Sequence, residues 1–294
     1  MNDNTYRFKV GQFQCIAILD GTLTYSPPTF PPPAALLFTN APKDDLEKAA
    51  DLHGIQIQNW PSWTSPYICL LVDTGKHLVL VDTGADGLAP TTGRLVQKLR
   101  AEGILPGDID TIVLTHAHPD HVGGNTDAEG KLIYPNARYF ISKAERDFWM
   151  SSQAETSLDK HSGSMLIGIA RKNLTPILDR LETINDETEI VSGIRTLMAP
   201  GHTPGHMGLY ISSSNEKLCV ISDVVLHPIH LEHPEWFAAV DVDPTQVTST
   251  RQSVLNIAAT ERMLVLAFHL PFPGLGYVIE KGSTWKWQPI QSLK

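Results

Sequence analysis

The chain has 294 residues, 42% of them apolar, which is enough to bury one large core or two small ones. Its 32 acidic residues outnumber the 23 lysines and arginines, so the formal net charge is −9, the wrong sign for counterion-releasing contact with nucleic acid. The sequence contains neither a basic segment followed by an apolar stretch nor an apolar run of roughly 18 residues. We therefore expect a cytoplasmic protein without a nucleic-acid or membrane partner.

The first part of the chain, residues 1–65, carries a proline-rich stretch at 26–35 and a short helical pattern after it. Prolines favour a stiff, extended segment. We interpret residues 1–65 as an amino-terminal extension of a single domain that spans residues 1–294. The extension is predicted to form a lid or a contact in a homodimer, and a plain surface loop is the alternative for the proline-rich stretch.

From residue 66 onward the pattern becomes regular. Short apolar, β-branched runs predict buried strands, and helical spacing separates several of them. Strands are predicted at 66–75, 76–84, 109–116, 193–200, 208–213, 218–223 and 262–269, and helices at 91–103, 143–152, 164–181 and 244–260. Strands and helices alternate in two successive halves, which predicts an α/β body with helices outside a sheet core.

The segment LTHAHPDHVGG at 114–124 places three histidines and an aspartate within six residues, where a predicted strand ends. In an extended segment, side chains two apart point the same way, so His116 and His118 can face one point. Asp120 and His121 are offset and can face a neighbouring point. Imidazoles and carboxylates are ligands that zinc and similar divalent ions prefer. The spacing fits one metal site, or two sites that share a water molecule.

Three further residues lie at the ends of predicted strands, from which side chains can be aimed into a cleft. His202 lies in APGHTPGH, and His269 ends the strand RMLVLAFH. Asp223 follows the strand LCVIS, and its two carboxylate oxygens can bridge two ions. Three histidines of the following loop either contact the site or have no role in it; they are His227, His230 and His233.

These motifs together resemble the five-part pattern of the metallo-β-lactamase superfamily, over about residues 66 to 274. The resemblance implies an α/β fold, the αββα sandwich, with a dinuclear metal site between its two halves. It also implies the ligands: His116, His118 and His202 for one ion, Asp120, His121 and His269 for the other, Asp223 as the bridge and Asp82 as support for a ligand. The cofactors are expected to be two divalent metal ions, zinc first, with iron, cobalt or manganese as alternatives.

The same resemblance implies a hydrolase. In the true β-lactamases of the superfamily a cysteine stands where this chain has Asp223, so Asp223 argues against that activity. Water shared by two ions loses a proton readily and would attack a carbonyl, with Asp120 as the proton shuttle. The segments HPEWFAAVDVDPTQ and AFHLPFPGLGYV resemble a branch that includes methyl parathion hydrolase and quorum-quenching N-acyl-homoserine lactone lactonases. This branch implies cleavage of a small lactone or carboxylic ester, with promiscuous activity on phosphotriesters.

Lactonases of this branch often carry a tyrosine three residues after the bridging aspartate, where this chain has Leu226. An apolar substrate pocket is predicted, and core packing is the alternative for each of its residues. The predicted pocket residues are Phe148, Trp149, Leu226, Trp236 and Phe272. Two other functions stay open: a glyoxalase II-like thioester hydrolase, although the carboxy-terminal segment is only mildly basic, and a diiron redox or sensor protein of the same fold.

Overall fold

Two seven-stranded sheets, one from each half of the chain, form the centre of the protein in the computed structural model, which describes residues 4–158 and 163–290. The strands of the first sheet lie side by side in chain order. They are β1 (Thr5–Val10), β2 (Phe13–Tyr25), β3 (Trp63–Asp73), β4 (Leu78–Val81), β5 (Thr111–Val113), β6 (Arg138–Ser142) and β7 (Leu181–Ile184). The second sheet contains β8 (Glu189–Val191), β9 (Ile194–Met198), β10 (Met207–Ser213), β11 (Glu216–Ser222), β12 (Leu264–Ala267), β13 (Leu275–Lys281) and β14 (Thr284–Pro289).

Each sheet contains a point where antiparallel pairing changes to parallel pairing. In the first sheet β3 pairs antiparallel with β4, whereas β4 pairs parallel with β5. In the second sheet β10 pairs antiparallel with β11, whereas β11 pairs parallel with β12. Parallel neighbours end at the same edge of a sheet, and the loops after such strands are where α/β proteins bind ligands.

The helices connect these strands or follow them. They are α1 (Pro33–Leu37), α2 (Lys43–Leu52), α3 (Leu95–Ala101), α4 (Pro119–Val122), α5 (Lys143–Met150), α6 (Gln153–Ser157), α7 (Gly163–Leu174), α8 (Ile229–Glu232) and α9 (Pro244–Thr260). The side chain of Asp243 accepts a hydrogen bond from the backbone nitrogen of Gln246 at 2.9 Å, which caps α9. Within the described part of the chain, no helix is both long and apolar enough to cross a bilayer.

One predicted helix ends earlier than the sequence indicated. The helix expected over residues 164–181 ends at Leu174, and residues 175–180 form a 3₁₀ turn before β7 begins. Pro176 lies in that turn. Proline disfavours a helical conformation in the residue before it and supplies no backbone N–H, which explains why the α-helix does not continue.

Three apolar clusters show how the layers stack. Between the sheets, Leu70 and Val81 of the first sheet pack with Leu209 and Val220 of the second. On the outer face of the first sheet, strand residues pack against α3, α5 and α7. On the outer face of the second sheet, they pack against α9. Because successive strand residues point to opposite faces, each sheet supplies both an inner and an outer cluster. The four layers confirm the predicted αββα sandwich.

The predicted amino-terminal extension has two structural parts. Residues 5–25 form β1 and β2, and β2 pairs antiparallel with β3, so they belong to the first sheet. Residues from α1 and α2 instead pack on the loop between β11 and α9. This packing forms a fourth apolar cluster, called here the cover cluster, whose buried members are Leu37, Phe38, Leu46, Ala49, Leu226, Ile229, Trp236 and Ala238.

Candidate metal centre

Four strand ends bring candidate ligands or their supports to one place. Asp82 follows β4, and Asp223 follows β11 directly. His116 lies just after β5, and His269 just after β12. Since β4 and β5 are parallel, and β11 and β12 are parallel, each pair ends at one edge of its sheet. The packing of the two sheets makes these edges neighbours.

The first group of donor atoms comes from His116, His118, His202 and Asp223, which lie within 4.8 Å of one another. The Nδ1 atom of His118 is 3.0 Å from Nε2 of His116 and 3.0 Å from Nε2 of His202. The Oδ2 atom of Asp223 is 3.3 Å from Nε2 of His202 and 3.8 Å from Nε2 of His116. All four residues are buried.

The second group comes from Asp120, His121 and His269, again within 4.8 Å. The Oδ2 atom of Asp120 is 3.7 Å from Nε2 of His121 and 3.6 Å from Nε2 of His269. Asp223 also reaches this group: its Oδ1 is 3.3 Å from Nε2 of His121, and its Oδ2 is 2.9 Å from Nε2 of His269. Asp223 therefore lies between the two groups and contacts both.

The backbone of the histidine segment explains why it contributes to both groups. His118 is extended and precedes the first residue of α4, whereas Asp120 and His121 lie in the helical turn. Extended and helical backbones project side chains with different periods, so the change at Pro119 separates the two pairs. Gly124 then allows close packing, because a Cβ atom there would lie 2.1 Å from the carbonyl oxygen of Thr83.

Three histidines have an acidic or hydroxyl partner on the ring nitrogen that faces away from the donor groups. Nδ1 of His121 is 2.7 Å from Oδ2 of Asp82, the residue predicted to support a ligand. Nδ1 of His202 is 2.8 Å from Oδ1 of Asp241. Nδ1 of His269 is 2.7 Å from the hydroxyl of Ser65. A carboxylate accepts the Nδ1 proton of His121 and of His202, which leaves a lone pair on Nε2 of each ring.

Asp82 has a strained backbone conformation, which hydrogen bonds to its side chain hold in place. Its φ angle is 60°, a left-handed conformation that non-glycine residues rarely adopt. Its Oδ1 accepts a hydrogen bond from the backbone nitrogen of Thr115, and its Oδ2 accepts one from the Thr115 hydroxyl, both at 2.8 Å. Such strain, of order 1–3 kcal/mol, persists where surrounding contacts hold it and often marks a functional site.

The donor atoms themselves fit divalent cations. Nε2 of His121 is buried and has no hydrogen-bond partner among the described residues. The Nε2 atom of His202 carries a lone pair toward Nδ1 of His118, and Nε2 of His116 faces the same atom. One Nδ1 proton can satisfy only one of two such acceptors. A cation bound by these atoms would remove the mismatch.

The electrostatics agree with this fit. Burial lowers the pKa of His116 and of His118 well below its ordinary value, so both imidazoles are neutral and have a free lone pair. Burial opposes protonation of His121 too, but Asp223, Asp82 and Asp120 together raise its pKa well above the ordinary value. These three carboxylates favour positive charge on or beside the ring, and a divalent cation bound at Nε2 would supply that charge in place of a second proton on His121.

Glu145, on α5, is a functional candidate that the sequence reasoning missed. Its Oε1 accepts hydrogen bonds from the backbone nitrogen of Ala117 at 2.9 Å and from Nε1 of Trp149 at 2.6 Å. Its Oε2 accepts from the hydroxyl of Thr203 at 2.6 Å and from the backbone nitrogen of Gly205 at 3.0 Å. Ala117 lies between two donor histidines, and Thr203 follows another. One buried carboxylate thus ties together the loops that carry the first group.

Asp241 and Ser65 were also missed. The predicted strands and the histidine pattern offer no signal for them, because each lies far along the chain from its partner, 39 residues in the case of Asp241 and His202. A buried aspartate after an aromatic loop, as in WFAAVDVDP, is a weak indication at best. The structure alone brings these partners together.

The residues predicted to line a substrate pocket lie in packed clusters. Phe148 and Trp149 are buried in the cluster between the first sheet and its helices, and the indole of Trp149 packs edge-on against His118 with ring centroids 5.6 Å apart. Both side chains are almost completely buried, and a place for them in a substrate pocket stays a prediction. Leu226 and Trp236 are buried in the cover cluster. Phe272 is partly buried against the cluster between the sheets.

The remaining histidines near Asp223 have mostly structural contacts. His206 makes backbone contacts, with Ala199 at 2.9 Å and with Asp223 at 3.2 Å. His230 is fully buried and donates from Nε2 to the carbonyl oxygen of Leu37 at 2.9 Å, which joins α8 to α1. The ring of His233 stacks on Trp236 with centroids 3.8 Å apart. His227 lies 9% exposed beside the rings of Phe38 and Trp60.

A family comparison agrees with this geometry. The model of the metallo-beta-lactamase superfamily matches residues 66–269, a range that contains every member of both donor groups. The chain belongs to the metallo-beta-lactamase superfamily. It is therefore a hydrolase of that superfamily, as the resemblance implied, and its two donor groups suit two divalent metal ions.

Individual members of the superfamily are similar to this chain over most of its length. The chain is 30% identical over 225 residues to an N-acyl homoserine lactonase of a Bacillus species, covering 69% of this chain and 81% of the relative. Among solved structures, it is similar to AidC, a dizinc quorum-quenching lactonase in complex with the product N-hexanoyl-L-homoserine, with a TM-score of 0.89 and 29% identity over 99% of both chains. The hydrolase AbOPH gives a TM-score of 0.87 and 28% identity over 100% of both chains.

Proposed function

We propose that this chain is a dinuclear zinc hydrolase that opens lactones, in particular N-acyl homoserine lactones, and also cleaves carboxylic esters. One observation carries the proposal: Asp223 contacts both donor groups, in a chain that aligns over 99% of its length with a dizinc lactonase. A shared carboxylate between two histidine-rich groups is the arrangement that a two-metal hydrolase needs.

The ligand assignment follows the two groups. His116, His118 and His202 would hold one ion, and Asp120, His121 and His269 the other, with Asp223 shared between them. Nitrogen and oxygen donors without cysteine suit zinc, and the dizinc state of the similar lactonase supports the same choice. When bound, two divalent ions supply Lewis acidity and a water molecule with a lowered pKa.

The chain's own residues supply positioning and proton transfer. Asp120 has one oxygen close to His121 and His269, and its side chain retains some exposure, at 11%. A carboxylate there can accept a proton during attack on the carbonyl carbon and return it to the departing alkoxide. Asp82, Asp241 and Ser65 hold three ligand rings in orientation, which keeps Nε2 of each ring aimed at the donor groups.

The segment with α1 and α2 is proposed to act as a cover over the substrate's acyl chain rather than as a dimer contact. Phe38, at the end of α1, packs against the rings of Trp236 and His227 in the loop that follows Asp223. An apolar wall beside a polar centre is the composition expected for a site that binds an acyl chain.

The test is a substrate panel with the zinc-loaded protein. It contains N-hexanoyl homoserine lactone, 4-nitrophenyl acetate, a phosphotriester and a glutathione thioester. We expect kcat/KM for the lactone to exceed that for the thioester by at least about tenfold, a difference of roughly 1.4 kcal/mol in transition-state stabilisation. Preference for the thioester would overturn the proposal in favour of a glyoxalase II-like enzyme. Iron content with oxygen consumption and no hydrolysis would favour a redox protein.

A further inference from the structure

Two tyrosine hydroxyls meet beside the second donor group. The hydroxyl oxygens of Tyr25, at the end of β2, and Tyr67, on β3, are 2.8 Å apart. Tyr67 is completely buried, whereas Tyr25 is partly exposed. Neither residue has a role in the ligand assignment above.

The ring of Tyr67 borders His269. Tyr67 packs edge-on against His269 with ring centroids 5.6 Å apart, and its other neighbour is Phe268 at 5.8 Å. Ser65 lies two residues earlier on β3, hence on the same face, and contacts Nδ1 of His269 at 2.7 Å. The phenol of Tyr67 is therefore fixed on the side of the sheet that carries the second donor group.

Aromatic side chains pack around Tyr25. Its ring is held between Phe30, with centroids 4.7 Å apart, and Trp63, with centroids 5.1 Å apart. Trp63 is in turn 6.2 Å from the ring of His269. These aromatic neighbours fix the ring of Tyr25, and the residue as a whole is partly exposed.

The charges nearby keep both phenols protonated. Burial, and after it the negative charge of Asp120, raises the pKa of Tyr25 and of Tyr67 above the ordinary value. Asp223 acts in the same direction but more weakly. Among the acidic residues, Asp120 thus interacts most strongly with both hydroxyls, which agrees with a position beside the second donor group.

The hydrogen-bond partners of the two hydroxyls indicate which of them donates to the other. Within the described residues, the only hydrogen-bond partner of the Tyr67 hydroxyl is Tyr25. A buried hydroxyl without an acceptor is costly, by about 1–3 kcal/mol, so the Tyr67 proton is directed to the oxygen of Tyr25. The proton of Tyr25 is then not used between the two residues, and no other acceptor among the described residues takes it.

We propose that the Tyr25 hydroxyl donates a hydrogen bond to the carbonyl oxygen of the lactone or ester substrate, and that Tyr67 is the positioning residue that orients it. The proposal rests on the proposed function. No proton is transferred from Tyr25; the bond strengthens as negative charge develops on the carbonyl oxygen.

The test is Tyr25→Phe, which removes one oxygen and keeps the ring stacked between Phe30 and Trp63. With two metal ions per chain retained, we expect kcat to fall about tenfold or more, with KM changed less than threefold, on the panel substrate that the native protein cleaves fastest. Tyr67→Phe should lower kcat in the same direction but less, since Tyr25 keeps its hydroxyl. Tyr210→Phe, on β10 and remote from both donor groups, is the matched control and should behave as the native protein.

Separate results decide the two proposals. If the native protein prefers another panel substrate to the lactone, the proposed lactone specificity fails, and the Tyr25 measurement is made on that substrate. If Tyr25→Phe keeps the native kcat, or changes only KM, the hydroxyl is not a transition-state donor and the inference is wrong. If the zinc-loaded native protein cleaves none of the four substrates, both are overturned.

Discussion

The carboxylate of Glu145 accepts a hydrogen bond from the backbone nitrogen of Ala117 at 2.9 Å, at the point in the chain between His116 and His118. The same side chain accepts bonds from Thr203 and Gly205, which follow His202. A Cβ atom at Gly205 would lie 2.1 Å from the backbone nitrogen of Glu145, so this contact needs a glycine. The first donor group therefore depends on a residue that is not one of its members.

Glu145→Gln should weaken this arrangement. Four donors converge on the carboxylate, whereas a glutamine has one acceptor oxygen and an amide that donates. We expect the metal-free protein to lose about 2 kcal/mol of unfolding free energy, and the affinity for the ion of the first group to fall about tenfold. Denaturant unfolding and metal titration against a chelator measure the two effects.

Asp147→Asn is the matched control for that variant. Asp147 lies on the same helix, is partly exposed, and among the described residues pairs with Lys143 and Arg146. It should leave metal affinity unchanged. Equal metal affinities in Glu145→Gln and in the control would show that the Glu145 bonds do not position the first group.

Asp82→Asn should affect the second donor group instead. Asp82 accepts three hydrogen bonds, one of them from Nδ1 of His121. The amide of asparagine would face one of these donors, and His121 would lose its fixed tautomer. We expect metal affinity of the second group to fall about 10- to 100-fold, measured by competition with a chelator.

Asp73→Asn provides the comparison, since Asp73 is exposed and accepts from the backbone nitrogen of Gly75, which asparagine can also do. Native metal affinity is expected there. If Asp82→Asn binds both ions as tightly as Asp73→Asn does, the support assigned to Asp82 is absent.

His202→Ala and His269→Ala should each reduce the metal content to about one ion per chain or fewer and abolish turnover. Apart from the shared Asp223, each ion is assigned three ligand residues, and each variant removes one of them. Metal analysis after gel filtration measures the content. His77→Ala, an exposed histidine paired with Asp110, should keep two ions. Two tightly bound ions in either ligand variant would contradict the ligand assignment.

Leu226→Tyr should leave metal binding intact and change substrate preference. Leu226 is 4% exposed in the cover cluster, so the larger side chain must displace neighbours, at about 1–3 kcal/mol of unfolding free energy. Relative kcat/KM across the substrate panel is the measurement. Loss of a metal ion would mean that the bridge has been placed on the wrong residue.

The sequence predicted those features that depend on the pattern of residues close together in the chain. Buried apolar runs followed by a polar residue indicated strands with Asp82, His116, Asp223 and His269 at their ends, and the structure brings these residues together with the rest of the two groups. Their function as metal ligands stays a prediction. Several strands went unpredicted, namely β1, β2, β6, β7, β8, β13 and β14. Some are short or partly exposed, as β13 is, and pairing with a neighbour rather than an apolar run defines them.

Only the tertiary structure decided which residues support the site. Glu145 is 28 residues from Ala117, Tyr25 is 42 from Tyr67, and Ser65 is 204 from His269. A hydrogen bond between distant segments depends on how the two sheets and their loops pack, and leaves no periodic pattern in the chain. The same packing buried Phe148 and Trp149 in the cluster between the first sheet and its helices, since an aromatic side chain gains free energy when its apolar surface leaves water.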